Sequence, residues 1–114
     1  MRSGEKVIAV GVGPDGQVWS AHFGMAPWYY VYDREGVLVE RRANPYAGGG
    51  EQHHDDPQRI SALLPECRVF IARRMGARSR EQLAQVMGIS PVLTQATDPD
   101  QAVSAYLVER GAGD

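Results

Sequence analysis

KVIAVGV, residues 6–12, is the stretch of sequence that decides the fold. It is an almost continuous apolar run that is rich in β-branched side chains, as is typical of a strand covered on both faces. A turn that contains Gly13, Pro14 and Gly16 follows directly and ends the run. The segment therefore predicts a central strand of a sheet that has other structure packed above and below it.

A hairpin is predicted next along the chain. WYYVYD, residues 28–33, is aromatic and β-branched, and VLVERR, residues 37–42, has the same strand character. Arg34-Glu35-Gly36 between them is short enough to form a tight turn. The two segments are therefore expected to pair as antiparallel neighbours.

Strands and helices alternate in the second half of the chain. Strands are predicted at residues 68–72 (RVFIA) and 91–94 (PVLT). One helix is expected to begin at Asp56-Pro57 and another at Asp98-Pro99, because aspartate can cap a helix that has proline at its first position.

A capping pattern predicts one further helix between these two. Ser79 stands three residues before Gln82, which is the spacing of a capping box, so the helix is expected to begin at Ser79. Gly88 is placed where a left-handed residue would end it. Its buried stripe is predicted to consist of Leu83, Val86 and Met87.

The order of these elements predicts the fold class. Hairpin strands come first and β-α-β units come last, which favours a mixed five-stranded sheet with an antiparallel edge, parallel crossovers and about three flanking helices. The chain is expected to be a single α/β domain over residues 1–114, with an ordered core over about residues 6–108.

Composition excludes several classes of protein. The net charge of −2 is unsuited to unspecific nucleic-acid binding, and no apolar run approaches the ~20 residues that span a bilayer. The single cysteine, Cys67, excludes an internal disulfide, and the start of the chain does not resemble a signal peptide, so a cytoplasmic location is expected. A hydrolase is disfavoured, because the first strand carries no carboxylate and the chain has no G-x-S-x-G elbow.

His22 is the first candidate functional residue. It stands in Ser20-Ala21-His22-Phe23-Gly24, between two predicted strands, where small residues let a ligand approach the backbone. A neutral imidazole is a common metal ligand and a common acid–base group. A loop histidine that hydrogen-bonds to a backbone carbonyl fits the same pattern, and spacing alone leaves both interpretations open.

The second candidate is the loop Glu51-Gln52-His53-His54-Asp55-Asp56, in which five of six side chains can ligate a metal. Gly48-Gly49-Gly50 before it would let the loop close over a ligand. A solvated polar loop is the alternative interpretation, because the two aspartates can also act as helix caps.

A basic cluster is the third candidate. Arg73, Arg74, Arg78 and Arg80 surround Gly76, between a predicted parallel strand and a helix. The junction of a parallel strand and a helix N-terminus is where α/β sheets bind anions, and arginine adds charge-assisted donors. Solvated surface arginines are the alternative. Cys67, just before that strand, is expected to be packed and inert rather than a ligand for iron.

Several motifs together resemble a known family. The matching segments are Val7–Val10, Ser20-x-His22-Phe23-Gly24, Ala26-Pro27, Asn44-Pro45, Cys67-x-Val69-x-Ile71-Ala72, Met75-Gly76 and Gly88-Ile89. From about Lys6 to Leu107 the chain resembles the dinitrogenase iron–molybdenum cofactor biosynthesis domain, which is found in NifX, in the core of NafY and at the C-terminus of NifB.

The resemblance implies a ribonuclease-H-like fold and a function. It implies a non-catalytic carrier of an iron–sulfur cluster or an iron–molybdenum cofactor precursor, with nitrogenase assembly proteins or other iron–sulfur proteins as partners and no role for nucleic acid or membrane. It makes His22 a cluster ligand, with His53 and His54 as further metal contacts. The resemblance carries this role over to His22 alone, and its transfer to His53 and His54 is weaker. Together with the polar loop and the basic cluster, it leads to an expected set of cofactor-binding residues: His22, Phe23, Gly24, His53, His54, Arg73, Arg74, Gly76 and Arg78.

Two other functions remain open on the sequence. The chain departs from the commoner family pattern at Arg73-Arg74, where small residues and glycine are usual, and this departure could tailor the site to an anionic ligand. A small anion- or nucleotide-binding module that uses the arginines without metal is therefore the main alternative. A metal-dependent enzyme built on His22, His53, His54 and Asp55 is less favoured, because no nucleophile–base pair is visible.

Overall fold

A computed structural model describes residues 6–45 and 57–113 and shows a five-stranded mixed sheet. The strands are β1 (Lys6–Val12), β2 (Trp28–Asp33), β3 (Leu38–Ala43), β4 (Val69–Ala72) and β5 (Ser90–Leu93), in the spatial order β3-β2-β1-β4-β5. β1 pairs antiparallel with β2 and parallel with β4; β2–β3 is antiparallel and β4–β5 is parallel. This confirms the predicted fold class, with KVIAVGV as the central strand.

Helices cover both faces of the sheet. They are α1 (Pro57–Leu63), α2 (Ala77–Gln85) and α3 (Pro99–Gly113). Ile60 of α1 and Leu83 of α2 pack on one face of the sheet, in a cluster that includes Ala9 and Phe70. The opposite face, with Ile8 and Ile71, packs against Ala102 and Val103 of α3. β1 is apolar along its length because its alternate residues enter two different cores.

The predicted start of α2 at Ser79 is wrong. The helix begins at Ala77, and Gly76 is its N-cap, with extended backbone angles and no side-chain cap hydrogen bond. Ser79 is instead buried in the first turn. Val86 is also misplaced by the prediction: it follows the last helical residue and is 71% exposed, since helical periodicity no longer fixes its direction there. Gly88 does adopt the expected left-handed backbone, with φ of 68°.

The other turn and cap predictions agree with the structure. Gly36 in the hairpin turn has φ of 88°, and the Asp33 carboxylate accepts hydrogen bonds from the backbone N–H groups of Glu35 and Val37. At the start of α3, the Asp98 carboxylate accepts from the N–H of Gln101 at 3.0 Å. No helix in the described ranges is long and apolar enough to cross a membrane.

Arg42 joins the edge strand β3 to the connection between α1 and β4. Its guanidinium donates to both carboxylate oxygens of Glu40, to both of Glu66, and to the carbonyl of Leu63. Lys6 of β1 adds a second cation 2.9 Å from Glu40. Hydrogen bonds from Arg42 and then from Lys6 lower the pKa of Glu40 from its ordinary value of 4.5 to about 2.

This network predicts a measurable loss of stability in acid. Because the pKa of Glu40 is lowered in the folded chain, its contribution is present above pH 4.5 and disappears as the pH falls towards 2. Glu40→Gln is therefore expected to cost up to about 1 kcal/mol at pH 7, since the group is partly exposed, and almost nothing near pH 2. Urea unfolding of both proteins at the two pH values measures this. An equal loss in the free energy of unfolding at pH 7 and near pH 2 would show that the charge of Glu40 is not the cause.

Candidate functional site

The candidate site lies at one edge of the sheet. Because β1, β4 and β5 are parallel, their carboxyl ends meet at this edge. β2 starts and β3 ends there too, as the pairings of Trp28 with Val12 and Ala43 show. The connections at residues 13–27 and 73–76 therefore lie side by side. We call this place the carboxyl edge; it is where open α/β sheets bind ligands.

The backbone fixes His22 at the carboxyl edge. His22 and Arg74 are partners in an isolated parallel bridge, and the N–H of Phe23 donates to the carbonyl of Arg74 at 3.1 Å. This pairing continues the hydrogen bonding of β4 beyond its last residue. His22 has extended backbone angles and precedes a 3-10 turn, Phe23–Met25. Its half-buried imidazole is thus carried by a loop that is tied to β4. The sequence predicted the position in a loop between two strands but not this tie.

Phe23 anchors this loop in the core. Its ring is 3% exposed and lies 4.8 Å from the Phe70 ring and 4.9 Å from the Tyr29 ring, centroid to centroid. Gly11 of β1 lies beneath it: a Cβ there would come within 3.3 Å of Phe23 and 3.1 Å of the Ala26 Cβ. The buried Phe23 ring therefore fixes the position of the loop relative to the core, and Gly24 is buried next to it.

Asn44 holds the same loop from the other side. Its side chain is 6% exposed, and Nδ2 lies 3.2 Å from the Gly24 carbonyl, 2.8 Å from the Ala26 carbonyl and 3.2 Å from the Tyr29 hydroxyl. The Tyr29 hydroxyl donates in turn to the Phe23 carbonyl at 2.7 Å. Sequence reasoning used Asn44 only as part of a family motif. Asn44 directly follows β3, in which half-buried and exposed residues alternate. This position was the available indication that the Asn44 side chain is buried.

The predicted arginine cluster does not converge on one point. Arg74 is exposed and pairs with His22 through its backbone. Arg73 is half-buried and lines a separate cleft with Trp19. Arg78 is exposed in the first turn of α2, in a shallow depression with Glu81. Successive residues of an extended chain point to opposite sides, which explains why adjacent arginines separate. Gly76 lies between them as the N-cap of α2.

The described residues offer a metal few ligands. Among them there is no group of three or more His, Cys, Asp and Glu side chains that could hold a metal ion. His53 and His54 lie outside the described residues. Cys67 is fully buried before β4, at the strand end opposite to Arg74, and burial raises the pKa of its thiol to about 12. A thiol that stays protonated in the core supports the prediction that Cys67 is inert.

Comparisons with known proteins agree on the type of domain. A family model described as dinitrogenase iron-molybdenum cofactor matches residues 5–109. Among solved structures, an NMR structure of a Thermotoga protein, described provisionally as NifB, superposes with a TM-score of 0.67 and 24% identity, covering 92% of this chain and 90% of its own. The apo orange protein from Desulfovibrio gigas gives the same TM-score and identity, with coverages of 93% and 89%. At this identity the two structures show a shared fold. A search of curated proteins gives no significant match.

Proposed function

The chain belongs to the dinitrogenase iron-molybdenum cofactor family, and from this membership we propose that it is a non-catalytic carrier of an iron–sulfur cluster or of an iron–molybdenum cofactor precursor. One observation carries the proposal beyond the family: the backbone bridge to Arg74 and the buried ring of Phe23 fix His22 at the carboxyl edge. A fixed, half-buried imidazole can bind a metal atom of a cargo without rearrangement of the loop.

Charge supports the same proposal. A sulfide-rich cluster is an anion, and the exposed guanidinium group of Arg74 belongs to the residue paired with His22. Arginine stabilises an anion through charge-assisted hydrogen bonds and keeps its own charge at any physiological pH. Arg73 directly precedes Arg74 and faces a separate cleft, and Arg78 lies in the first turn of α2, so both add positive potential around the carboxyl edge rather than a second direct contact.

The small number of ligands fits a carrier. Within residues 6–45 and 57–113, no group of three or more metal-ligating side chains stands at this edge, and His22 is the histidine there. A cargo held by one protein ligand and by charge can be passed on, whereas a closed four-ligand site retains its metal. Cytoplasmic nitrogenase assembly proteins or other iron–sulfur proteins would supply and receive such a cargo. We assign no catalytic step to the chain.

Anaerobic reconstitution tests this function. The protein is incubated with iron and sulfide, or with isolated cofactor, desalted, and measured for visible absorption and bound iron. Wild type is expected to retain cluster, and His22→Ala at least about tenfold less, because removal even of groups that support a ligand costs 10–100-fold in affinity. Arg74→Gln is expected to weaken retention and to increase its sensitivity to salt.

Two further variants make the result interpretable. Arg68→Gln alters an exposed arginine next to the opposite end of β4 and is expected to retain cluster like wild type. His53→Ala combined with His54→Ala tests the loop that the sequence singled out. Equal absorption bands and equal bound iron in wild type and His22→Ala would refute the assignment of His22. Absence of bound cluster in every protein, wild type included, would refute the carrier function.

A further inference from the structure

A cleft lies beside the candidate site. It is open to solvent, has a volume of about 550 Å³, and is lined by Pro14, Asp15, Gln17, Val18, Trp19, Ser20 and Arg73. His22, Arg74 and Arg78 are not part of it. Six of its seven residues come from the turn between β1 and the 3-10 turn, and Arg73 comes from the end of β4. We call it the Trp19 cleft; the proposed function does not use it as a binding site.

Arg73 is the charged group of the Trp19 cleft. It is half-buried, and in the part of the chain that the structure describes no carboxylate or other acceptor pairs with its guanidinium. Asp15 lines the same cleft, yet its carboxylate accepts a hydrogen bond from the N–H of Gln17 at 3.1 Å instead. By contrast, Arg42 on β3 is saturated with two carboxylates. A partly desolvated cation without a counter-ion favours binding of an anion.

Trp19 provides a rigid wall of the cleft. Its backbone N–H donates to the Gly11 carbonyl at 2.9 Å, and its ring packs over Gly13, where a Cβ would come within 3.1 Å of the ring. Neighbouring Val18 is buried and donates its N–H to the Thr97 carbonyl. The indole Nε1 atom is buried from solvent, so Trp19 shapes the cleft and does not donate into it.

The lining offers one cation and two neutral donors. Besides Arg73, the exposed side chains of Gln17 and Ser20 supply an amide and a hydroxyl group that can each donate a hydrogen bond. The Asp15 carboxylate accepts one hydrogen bond but keeps its negative charge, which disfavours ligands of high negative charge. Such a lining matches a small ligand that has several acceptor oxygens and one or two negative charges. A polynucleotide fits poorly, since Asp15 lies at the same cleft and the chain carries a net charge of −2.

We propose that the Trp19 cleft binds a small oxyanion, a carboxylate or a tetrahedral oxyanion, on the guanidinium fork of Arg73. The binding does not rest on the proposed carrier function, because the cleft is formed without His22 and binding is measured on metal-free protein. The lining residues Ser20 and Arg73 stand in the same two connections as His22 and Arg74. If the carrier function fails, oxyanion binding stands by itself.

Nuclear magnetic resonance distinguishes this cleft from unspecific binding. The chain has two tryptophans, so a proton–nitrogen correlation spectrum contains two indole peaks. Titration of metal-free protein with sulfate, phosphate, citrate and acetate at constant ionic strength is expected to move the Trp19 peak in a saturable way. Trp28, at the start of β2 and 40% exposed, is outside the cleft, and its peak is expected to stay in place. Tighter binding of citrate or acetate would indicate a carboxylate ligand, and tighter binding of sulfate or phosphate would indicate a tetrahedral oxyanion.

Variants assign the binding to named groups. Calorimetry is expected to show at least about tenfold weaker binding in Arg73→Gln, since a charged fork donates the strongest hydrogen bonds. Trp19→Phe keeps an aromatic wall and is expected to bind nearly like wild type, because the buried indole N–H does not reach the ligand. Arg68→Gln and His22→Ala are expected to bind like wild type. Circular dichroism confirms that each variant is folded.

Three results would overturn the inference. The first is no saturable binding of any of the four anions. The second is unchanged affinity in folded Arg73→Gln. The third is an equal loss in Arg73→Gln and Arg68→Gln, which would indicate attraction to overall charge rather than a site. If Trp19→Phe does not fold, the shift of the Trp19 peak in wild type and the Arg73→Gln comparison decide the question.

Discussion

Replacement of Phe23 by alanine is expected to lower the free energy of unfolding by about 3–5 kcal/mol. The Phe23 ring is buried between the rings of Phe70 and Tyr29, so its removal leaves a cavity at the centre of one core. The backbone around it cannot collapse freely, because the 3-10 turn is tied to Arg74 and to Asn44. Urea unfolding followed by circular dichroism measures the loss.

Two control variants separate the cavity from other effects. Phe23→Leu keeps most of the apolar volume and is expected to cost clearly less than Phe23→Ala. Val86→Ala removes a side chain that is 71% exposed and is expected to change the free energy of unfolding by less than about 0.5 kcal/mol. A loss below about 1 kcal/mol in Phe23→Ala would mean that Phe23 does not anchor the loop. If Phe23 does anchor the loop, Phe23→Ala is also expected to retain less cluster, because His22 directly precedes Phe23 in the same loop.

Asn44→Asp is expected to destabilise the chain by about 3 kcal/mol or more at neutral pH. The substitution keeps the shape but replaces the donor Nδ2 by a carboxylate oxygen that faces the carbonyls of Gly24 and Ala26. The Tyr29 hydroxyl cannot compensate while it donates to the Phe23 carbonyl. A buried carboxylate that faces acceptors is an uncompensated charge, so its pKa in the folded chain is expected to rise.

The pH dependence identifies the cause of this loss. A carboxyl group whose pKa is raised by folding costs little below the unfolded pKa, costs increasingly more as the pH rises from the unfolded to the folded pKa, and costs a constant amount above it. The deficit of Asn44→Asp is therefore expected to be larger at pH 8 than at pH 4. Asn44→Ala also loses the donor but carries no charge, so its deficit is expected to be the same at both pH values. Equal deficits for both variants at every pH would show that the loss comes from the missing donor and not from a buried charge.

Much of the fold could be predicted from local patterns. β1 and β2 have the predicted bounds, and the Asp98 cap and the left-handed Gly88 are where the turn chemistry placed them. Each of these follows from properties of a few neighbouring residues. The start of α2 could not be predicted in this way. A capping box at Ser79 is locally favourable, but the helix begins two residues earlier, at Ala77, and buries Ser79 in its first turn.

The site was only partly predictable, because its geometry depends on pairing between distant segments. The sequence singled out His22 and the arginines but could not show that His22 pairs with Arg74, 52 positions later. It treated Arg73 and Arg74 as one cluster, whereas the structure places them in different surroundings. It did not indicate the Trp19 cleft, since tryptophan, glutamine and serine in a turn have no characteristic spacing. His53 and His54 remain a prediction.

The sequence by itself determined the element types, the central position of KVIAVGV and the family, because hydrophobic periodicity, turn residues and motifs are local properties of the chain. Only the tertiary structure decided which residues meet at the carboxyl edge. Parallel pairing of β1 with β4 aligns the ends of strands that are about 60 residues apart in the chain, and buried contacts of Phe23 and Asn44 then fix the loop that carries His22. Burial of the Phe23 ring and pairing of buried polar groups such as the Asn44 amide, rather than a local preference of the chain, hold that arrangement together.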